Sequence, residues 1–208
     1  MTDLILNFLD NDIVLKICQY KLEDHFYNVC APAESIRILP TLKYKFQLNI
    51  PEKAVLYAKN EENLTRLKRF VESVDEADLD IESNQLLDKF QDIDQIDAGE
   101  AVLFVLTILS DPSLTFTGDK RSINALAKIN DPEIYEALKG RIKCLEQTIA
   151  EILINTNDDI LELFNGEHWD SSIRSCSSLN KEDMLEGLKS YYNDLSKCSG
   201  ELLAPFPV

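Results

Sequence analysis

A chain of 208 residues, of which 45% are hydrophobic, can bury a full core as one domain or as one domain with an extension. Its formal net charge of −16 arises from 21 basic and 37 acidic side chains. This excess of acid argues against a protein that coats nucleic acid or binds a membrane surface, because both need a basic surface. It does not exclude an enzyme that acts on nucleic acid, since metal ions can neutralise an acidic site.

The cysteines and the apolar runs indicate the compartment. The sequence has five cysteines, no Cys-x-x-Cys pair and no N-terminal signal peptide, which predicts free, buried thiols in a reducing cytoplasm. The longest apolar run, residues 101–109, is too short to span a bilayer. We therefore expect a cytoplasmic protein that does not enter a membrane.

The first part of the chain alternates between strand and helix patterns. Residues 4–9 are predicted to form a buried strand that leads at Asp10 into a helix over 11–21, where apolar residues recur at helical spacing. Residues 27–32 are predicted to form a second short strand. Glu34 then lies in the first turn of a helix through SIRILPTLKYKFQ, which its proline breaks or kinks.

The second part of the chain continues this alternation. Strands are predicted over 113–117 and 141–146, although the latter also fits a continuous helix with residues 146–155, and the Ser-rich stretch 171–180 is predicted to be a linker. The predicted helices cover 51–59, 60–74, 98–109, 119–128, 132–140, 146–155 and a final segment from residue 180. Alternating strands and helices predict an α/β fold with three layers, α/β/α, around a central parallel sheet of four or five short strands. We assign residues 1–150 to this domain and residues 151–208 to a C-terminal helical extension.

Acidic residues recur where predicted strands end or helices begin. In parallel sheets, ligands bind beyond the carboxyl ends of the strands. Helix capping explains any one of these acids alone, but carboxylates that converge at one edge repel one another unless a cation lies between them. Mg²⁺ and Mn²⁺ prefer such oxygen ligands, so the sequence predicts a metal site at this edge. Its candidate ligands are Asp10, Asp12, Glu34, Asp97, Glu100 and Asp119.

Three stretches of the chain resemble the PIN-like domains, a family of metal-dependent nucleases that includes toxin ribonucleases and RNA-processing enzymes. They are FLDNDIVLK at the first strand, IDAGEAVLFVL at the central helix and LTFTGDKRSINAL at the late strand. The resemblance covers about residues 4–130. It implies that Asp10, Glu100 and Asp119 are catalytic and hold one or two Mg²⁺ or Mn²⁺ ions, with Glu34 as a fourth ligand that matches the family only loosely.

The same resemblance implies phosphodiester hydrolysis, with single-stranded RNA as the expected substrate. Thr117 is then expected to hydrogen-bond Asp119 or the scissile phosphate, and Lys120 and Arg121 to meet the phosphate. Toxins of this family usually have a small inhibitory partner protein, so we expect such a partner in a toxin–antitoxin pair; a homodimer also stays open. Asp12 departs from the family, which usually has Asn, Ser or Thr there, so Asp12 is either a ligand or only orients Asp10.

Basic residues are concentrated in one segment of this acidic chain. Residues 37–69 contain eight bases and three acids, which suggests a surface that follows a nucleic-acid backbone or, alternatively, ordinary solvated lysines and arginines.

Two other functions fit parts of the same pattern. Asp10-Asn11-Asp12 also looks like the Asp-x-Asp of haloacid-dehalogenase-like phosphatases, in which Asp10 would be a nucleophile and Asp12 a general acid. That family usually continues with Gly and Thr in a turn, whereas Ile13 and Val14 here begin an amphipathic helix. The other alternative is a non-catalytic PIN-like module that docks a protein through its extension.

Overall fold

The computed structural model of the chain describes residues 5–78, 81–91, 93–164, 170–176 and 180–208. The strands are β1 (Leu6–Leu9), β2 (Ile36–Ile38), β3 (Asp75–Glu76), β4 (Ser113–Thr117) and β5 (Ile142–Cys144). The helices are α1 (Asn11–Gln19), α2 (Glu23–Val29), α3 (Leu42–Lys45), α4 (Pro51–Ala58), α5 (Glu61–Ser73), α6 (Ile81–Asp88), α7 (Ala98–Leu109), α8 (Lys120–Leu126), α9 (Pro132–Leu138), α10 (Leu145–Ile154), α11 (Ser171–Cys176) and α12 (Lys181–Ser199). Short 3₁₀ turns lie at Ala33–Ser35 and Asp158–Phe164.

The five strands form one parallel sheet in the order β3-β2-β1-β4-β5. This confirms the predicted α/β fold, with helices on both faces of the sheet. Parallel neighbours align their carboxyl ends at one edge, and Leu9 of β1 pairs with Ile38 of β2 and with Phe116 of β4. The edge that follows these three residues is where the predicted site would have to form.

Strand β1 is buried on both faces because consecutive side chains point to opposite sides of a strand. Leu9 packs in the largest core cluster, with residues of α1, α5 and α10, whereas Phe8 packs with Leu103 and Leu106 of α7. Both strand residues are almost fully buried, at 2% exposure or less. Burying each of these two side chains contributes about 2–3 kcal/mol to the free energy of unfolding, so both faces of β1 stabilise the fold.

Several helices begin at residues that the sequence already indicates. Pro51 occupies the first turn of α4, where its missing N–H costs nothing. The Asn60 side chain accepts a hydrogen bond from the Asn63 amide at 2.8 Å and so caps α5. Asn180 caps α12 in the same way through the Asp183 amide. These local signals account for the good agreement of the predicted helix starts.

The prediction for residues 27–32 was wrong, since YNV ends helix α2 rather than forming a strand. The second strand is β2, which lies in the segment predicted to be helical. The segment Ile36–Ile38 is shorter than one helical turn, so its two apolar residues fit the spacing of a helix as well as that of a strand. Its pairing with β1 makes it a strand. Strand β3 is only two residues long and was not predicted.

The C-terminal part of the chain packs closely on the sheet domain. Met184 and Leu188 of α12 lie in the core cluster of β1, and the Ile142 amide of β5 donates to the Leu202 carbonyl at 3.2 Å. The predicted linker 171–180 was wrong for 171–176, which form α11, while residues 177–179 lie outside the described residues. The boundary at residue 150 stays a prediction.

The thiols and the apolar segments match the expectations only in part. All five cysteines are free; Cys18, Cys144 and Cys176 are buried, Cys30 is half-buried, and Cys198 is exposed, contrary to the prediction for that residue. No helix within the described ranges is long and apolar enough to cross a membrane.

Candidate functional site

Asp10 and Thr117 meet at the carboxyl edge of the two central strands. The pairing of Leu9 with Phe116 places the next residue of each strand side by side, and the Asp10 amide donates to the Phe116 carbonyl at 2.9 Å. The Thr117 hydroxyl then donates to Oδ2 of Asp10 at 3.2 Å. Strand register therefore brings together two candidate residues that are 107 positions apart in the sequence.

Asp10 is a buried acid that forms no ion pair with any residue in the described part of the chain. Its side chain makes no helix-capping hydrogen bond, although Asp10 immediately precedes α1. Burial raises the pKa of Asp10 to about 6, and the negative charge of Asp12 adds to the rise, while Lys45 opposes it. The stabilisation of charged Asp10 by Lys45, the Asn11 amide and the Thr117 hydroxyl is therefore smaller than the cost of its burial.

Glu100 lies near enough to Asp10 for the two charges to interact, and it is also buried, although it interacts electrostatically with Arg121 as well. Together with Asp97 it forms a capping box at the start of α7, because Glu100 Oε2 accepts from the Asp97 amide at 2.9 Å. The residue is only 5% exposed. Burial raises the pKa of Glu100 to about 7; the Asp97 amide and the Ser122 hydroxyl lower it, and the charges of Asp97 and Asp10 raise it further.

Asp119 is held by an arginine instead. It caps α8 by accepting from the Arg121 amide at 2.7 Å, and its Oδ2 accepts from the Arg121 guanidinium at 2.7 Å. The hydrogen bonds from Arg121 lower the pKa of Asp119. Its own amide donates to the Thr117 hydroxyl oxygen at 3.1 Å, so Thr117 connects Asp119 to Asp10. The Asp119 amide therefore contacts the site through Thr117, whereas the Asp119 carboxylate is bound by Arg121.

Asp97 and Asp12 lie close to the acidic pair without being buried. Asp97 uses Oδ1 to accept from the Glu100 amide at 2.8 Å, which is the capping role that its position suggests. Asp12 is exposed in the first turn of α1, and its charge raises the pKa of Asp10. Both residues therefore shape the electrostatics of the pair.

The structure contradicts the expectation that Glu34 follows a strand at this edge. Glu34 is exposed in the 3₁₀ turn that precedes β2, and Ile36 pairs with Asn7 at the beginning of β1. Glu34 therefore lies at the amino edge of the sheet, opposite to the site. The error follows from the wrongly predicted strand at 27–32. Glu34 would have followed that strand at the carboxyl edge, but it precedes the observed strand β2 and so lies at the amino edge.

Lys120 is paired with an acid that the prediction overlooked. Lys120 Nζ lies 2.5 Å from Oε1 of Glu146, a residue only 1% exposed at the start of α10, and 5.4 Å from the ring centroid of Tyr191. The sequence carried a signal for Glu146, because it ends the predicted strand 141–146; in the structure it follows β5 by two residues, as Asp119 follows β4. The buried Ser122 was also overlooked, and only its place on α8, beside Glu100, identifies it.

The fit of this site to a divalent cation rests on Asp10 and Glu100. Across the described residues, no three His, Cys, Asp or Glu side chains are arranged so that they could hold a metal ion together. Mg²⁺ often binds through one or two carboxylates and keeps several waters, so two carboxylates suffice as protein ligands. Burial is the main cause of the raised pKa values of both acids, and a bound cation would favour their charged forms. The donor set therefore fits such an ion.

Comparisons with known proteins add no relative to this picture. No protein-family model matches the sequence, and searches of curated proteins and of solved structures gave no significant match. The membership in the PIN-like domains that the motifs suggest stays a prediction. What the protein does must therefore be argued from the arrangement of its own residues.

Proposed function

We propose that this protein is a metal-dependent nuclease that hydrolyses phosphodiester bonds, with RNA as the expected substrate. One observation carries the proposal: Asp10 and Glu100 come from separate elements and are both buried, and the charge of Asp10 raises the pKa of Glu100. A fold gains no stability from such a pair, because each buried negative charge is unfavourable without a counter-ion. Perturbed acids of this kind are concentrated at functional sites.

Each residue of the site has a distinct part in this proposal. Asp10 and Glu100 would hold the cation, which when bound supplies positive charge to activate water and to stabilise the phosphate. Thr117 fixes the orientation of Asp10 through its 3.2 Å hydrogen bond. Arg121, whose side chain is 78% exposed, can release Asp119 and turn to a phosphate oxygen. Lys120 is less available, because Glu146 neutralises it.

A non-catalytic module is the second candidate, and the state of Asp119 favours it. An acidic site that has lost its function would be expected to satisfy its carboxylates internally, as Arg121 does for Asp119. The phosphatase alternative has weaker support, since α1 begins at Asn11 directly after Asp10. Asp12 is then exposed in the first helical turn.

The location in the cytoplasm remains part of the proposal and rests on the free thiols.

End-labelled single-stranded RNA, incubated with millimolar Mn²⁺ or with EDTA, tests the proposal. We expect cleavage only with Mn²⁺, and its loss in Glu100→Gln. Glu72→Gln is the matched control, because Glu72 is an exposed acid on α5, away from the site. Cleavage that persists in Glu100→Gln would identify a contaminating nuclease. No cleavage by the wild type under any of these conditions would favour the module.

A further inference from the structure

Exposed aromatic and aliphatic side chains are concentrated in one segment, residues 42–59, which we call the α3–α4 strip. Tyr44 is 75% exposed and Leu56 71% exposed, the two highest values among large apolar side chains within the described residues apart from the terminal Val208. Ile50 and Tyr57 of the same segment are 41% and 38% exposed. A folded protein rarely groups such side chains on its surface without a partner.

The α3–α4 strip is basic, although the whole chain is strongly acidic. It contains Lys43, Lys45, Lys53 and Lys59, all exposed, and a single acid, Glu52. Lys43 is paired with Glu76 at 2.7 Å. The other three have no ion pair with any residue in the described part of the chain. Lys45, Lys53 and Lys59 are therefore available in the same segment as the exposed Tyr44 and Tyr57.

The position of the strip connects it to the acidic pair. Helix α3 follows the carboxyl end of β2, which is the same edge of the sheet as Asp10. Lys45, at the end of α3, is close enough for its charge to act on Asp10. Helix α4 is tied to α1, the helix that Asp10 precedes, by a 2.8 Å hydrogen bond from the Gln19 side chain to the Tyr57 carbonyl. The strip is thus a fixed neighbour of the site.

We propose that the α3–α4 strip binds single-stranded nucleic acid, with Tyr44 as a stacking surface for a base and Lys45, Lys53 and Lys59 as contacts to the phosphates. Alternating aromatic rings and cationic side chains are what single strands require, because stacking and phosphate attraction act together. Charge complementarity selects a polyanion over an apolar peptide, since lysines flank Tyr44 on both sides. This inference rests on the proposed nuclease function for its biological meaning and names where the substrate lies.

Tyr44 and Tyr57 differ in how much of each ring is covered by neighbouring residues, so the proposal distinguishes between them. Tyr57 packs against the buried Phe46, with ring centroids 5.6 Å apart, so one of its faces is already covered. Tyr44 has no ring contact with another aromatic residue of the described ranges and presents most of its surface to solvent. Tyr44 is therefore the residue whose loss should affect binding most.

Fluorescence anisotropy with a labelled 12-nucleotide single-stranded RNA in EDTA measures binding without cleavage. We expect Tyr44→Ala to weaken binding by about tenfold, as loss of one stacked base does, and Tyr44→Phe to bind like the wild type. Lys45→Ala should also weaken binding and reduce its dependence on salt. Leu109→Ala is the control, because Leu109 is 41% exposed at the far end of α7, away from this edge.

The outcomes separate this inference from the nuclease proposal. Binding that is equal in Tyr44→Ala and the wild type would overturn the strip, whether or not the protein cleaves RNA. Binding that depends on Tyr44, without cleavage in Mn²⁺, would overturn the nuclease and keep the strip. If Tyr44→Ala instead abolishes self-association, with no RNA binding in the wild type, the strip is a protein contact and the inference is wrong.

Discussion

The acidic pair Asp10–Glu100 and the single acid Asp119 occupy equivalent places in the fold but differ in their surroundings. All three follow a strand or begin a helix beside the same edge of the sheet. Asp10 and Glu100 are buried and form no ion pair with any described residue, and their pKa values are raised, whereas the guanidinium of Arg121 lowers the pKa of Asp119. The comparison shows that position in a fold brings acids together, while the nearest charged group decides what each of them can do.

The largest expected difference between the acidic pair and Asp119 is in the rate of catalysis. We expect Asp10→Asn or Glu100→Gln to reduce the rate of Mn²⁺-dependent RNA cleavage by about 100-fold or more, because either change removes a proposed ligand at the reacting phosphate. Asp119→Asn should reduce the rate by roughly tenfold, since its carboxylate is tied to Arg121. Single-turnover rates of the purified variants measure this. Equal losses in all three variants would mean that Arg121 releases Asp119 completely in the active state.

Cation binding should separate the same residues without any need for activity. We expect millimolar Mn²⁺ to raise the Tm of the wild type by roughly 5 °C at pH 7.5, because a ligand that binds only the folded state stabilises it. Glu100→Gln should lose this gain, and Asp119→Asn should keep most of it. Differential scanning fluorimetry with Mn²⁺ and EDTA provides the measurement. If the Mn²⁺-dependent gain in Tm persists in the double variant Asp10→Asn/Glu100→Gln, the cation binds somewhere other than the acidic pair.

The metal-free protein should lose stability as the pH rises. The folded-state pKa values of about 6 for Asp10 and about 7 for Glu100 lie above their ordinary values of 3.8 and 4.5. The folded state therefore keeps protons that the unfolded state releases, and the free energy of unfolding falls between about pH 4 and pH 7 from these groups.

We expect Tm in EDTA to fall by roughly 5 °C between pH 5 and pH 8, with a flatter profile in Asp10→Asn/Glu100→Gln. Glu72→Gln controls for the loss of one negative charge at an exposed position. An unchanged slope in the double variant would show that neither acid titrates in this range.

The smallest expected effect concerns Arg121. Because its side chain is 78% exposed, Arg121→Ala should change Tm by less than about 2 °C. The same change should strengthen the Mn²⁺-dependent gain in Tm, since it frees the Asp119 carboxylate. Arg174→Ala is the control, as Arg174 is an exposed arginine on α11, outside the site. A weaker gain would mean that Arg121 helps to hold the acids in position.

The predicted and observed sites agree where local sequence patterns decide the element. Asp10 was predicted from the strand before it and Glu100 from the start of an apolar helix, because burial and capping leave clear patterns in the sequence, whereas Thr117 was expected only from the family resemblance. Glu34 was misplaced, since three strand residues such as Ile36–Ile38 have no pattern that distinguishes them from one helical turn. Lys120 was assigned to phosphate because its buried partner Glu146 lies on another element.

The sequence by itself determined the α/β class, the starts of most helices and the acids that follow strands β1 and β4. These features depend on periodic burial and on hydrogen bonds between neighbouring residues, which are local. Only the tertiary structure decided which acids are buried with raised pKa values, that Arg121 binds Asp119, and that Glu34 lies at the other edge. Those outcomes depend on strand register and on the distances between charges far apart in the chain, and the free energy of a buried charge depends on its nearest partner.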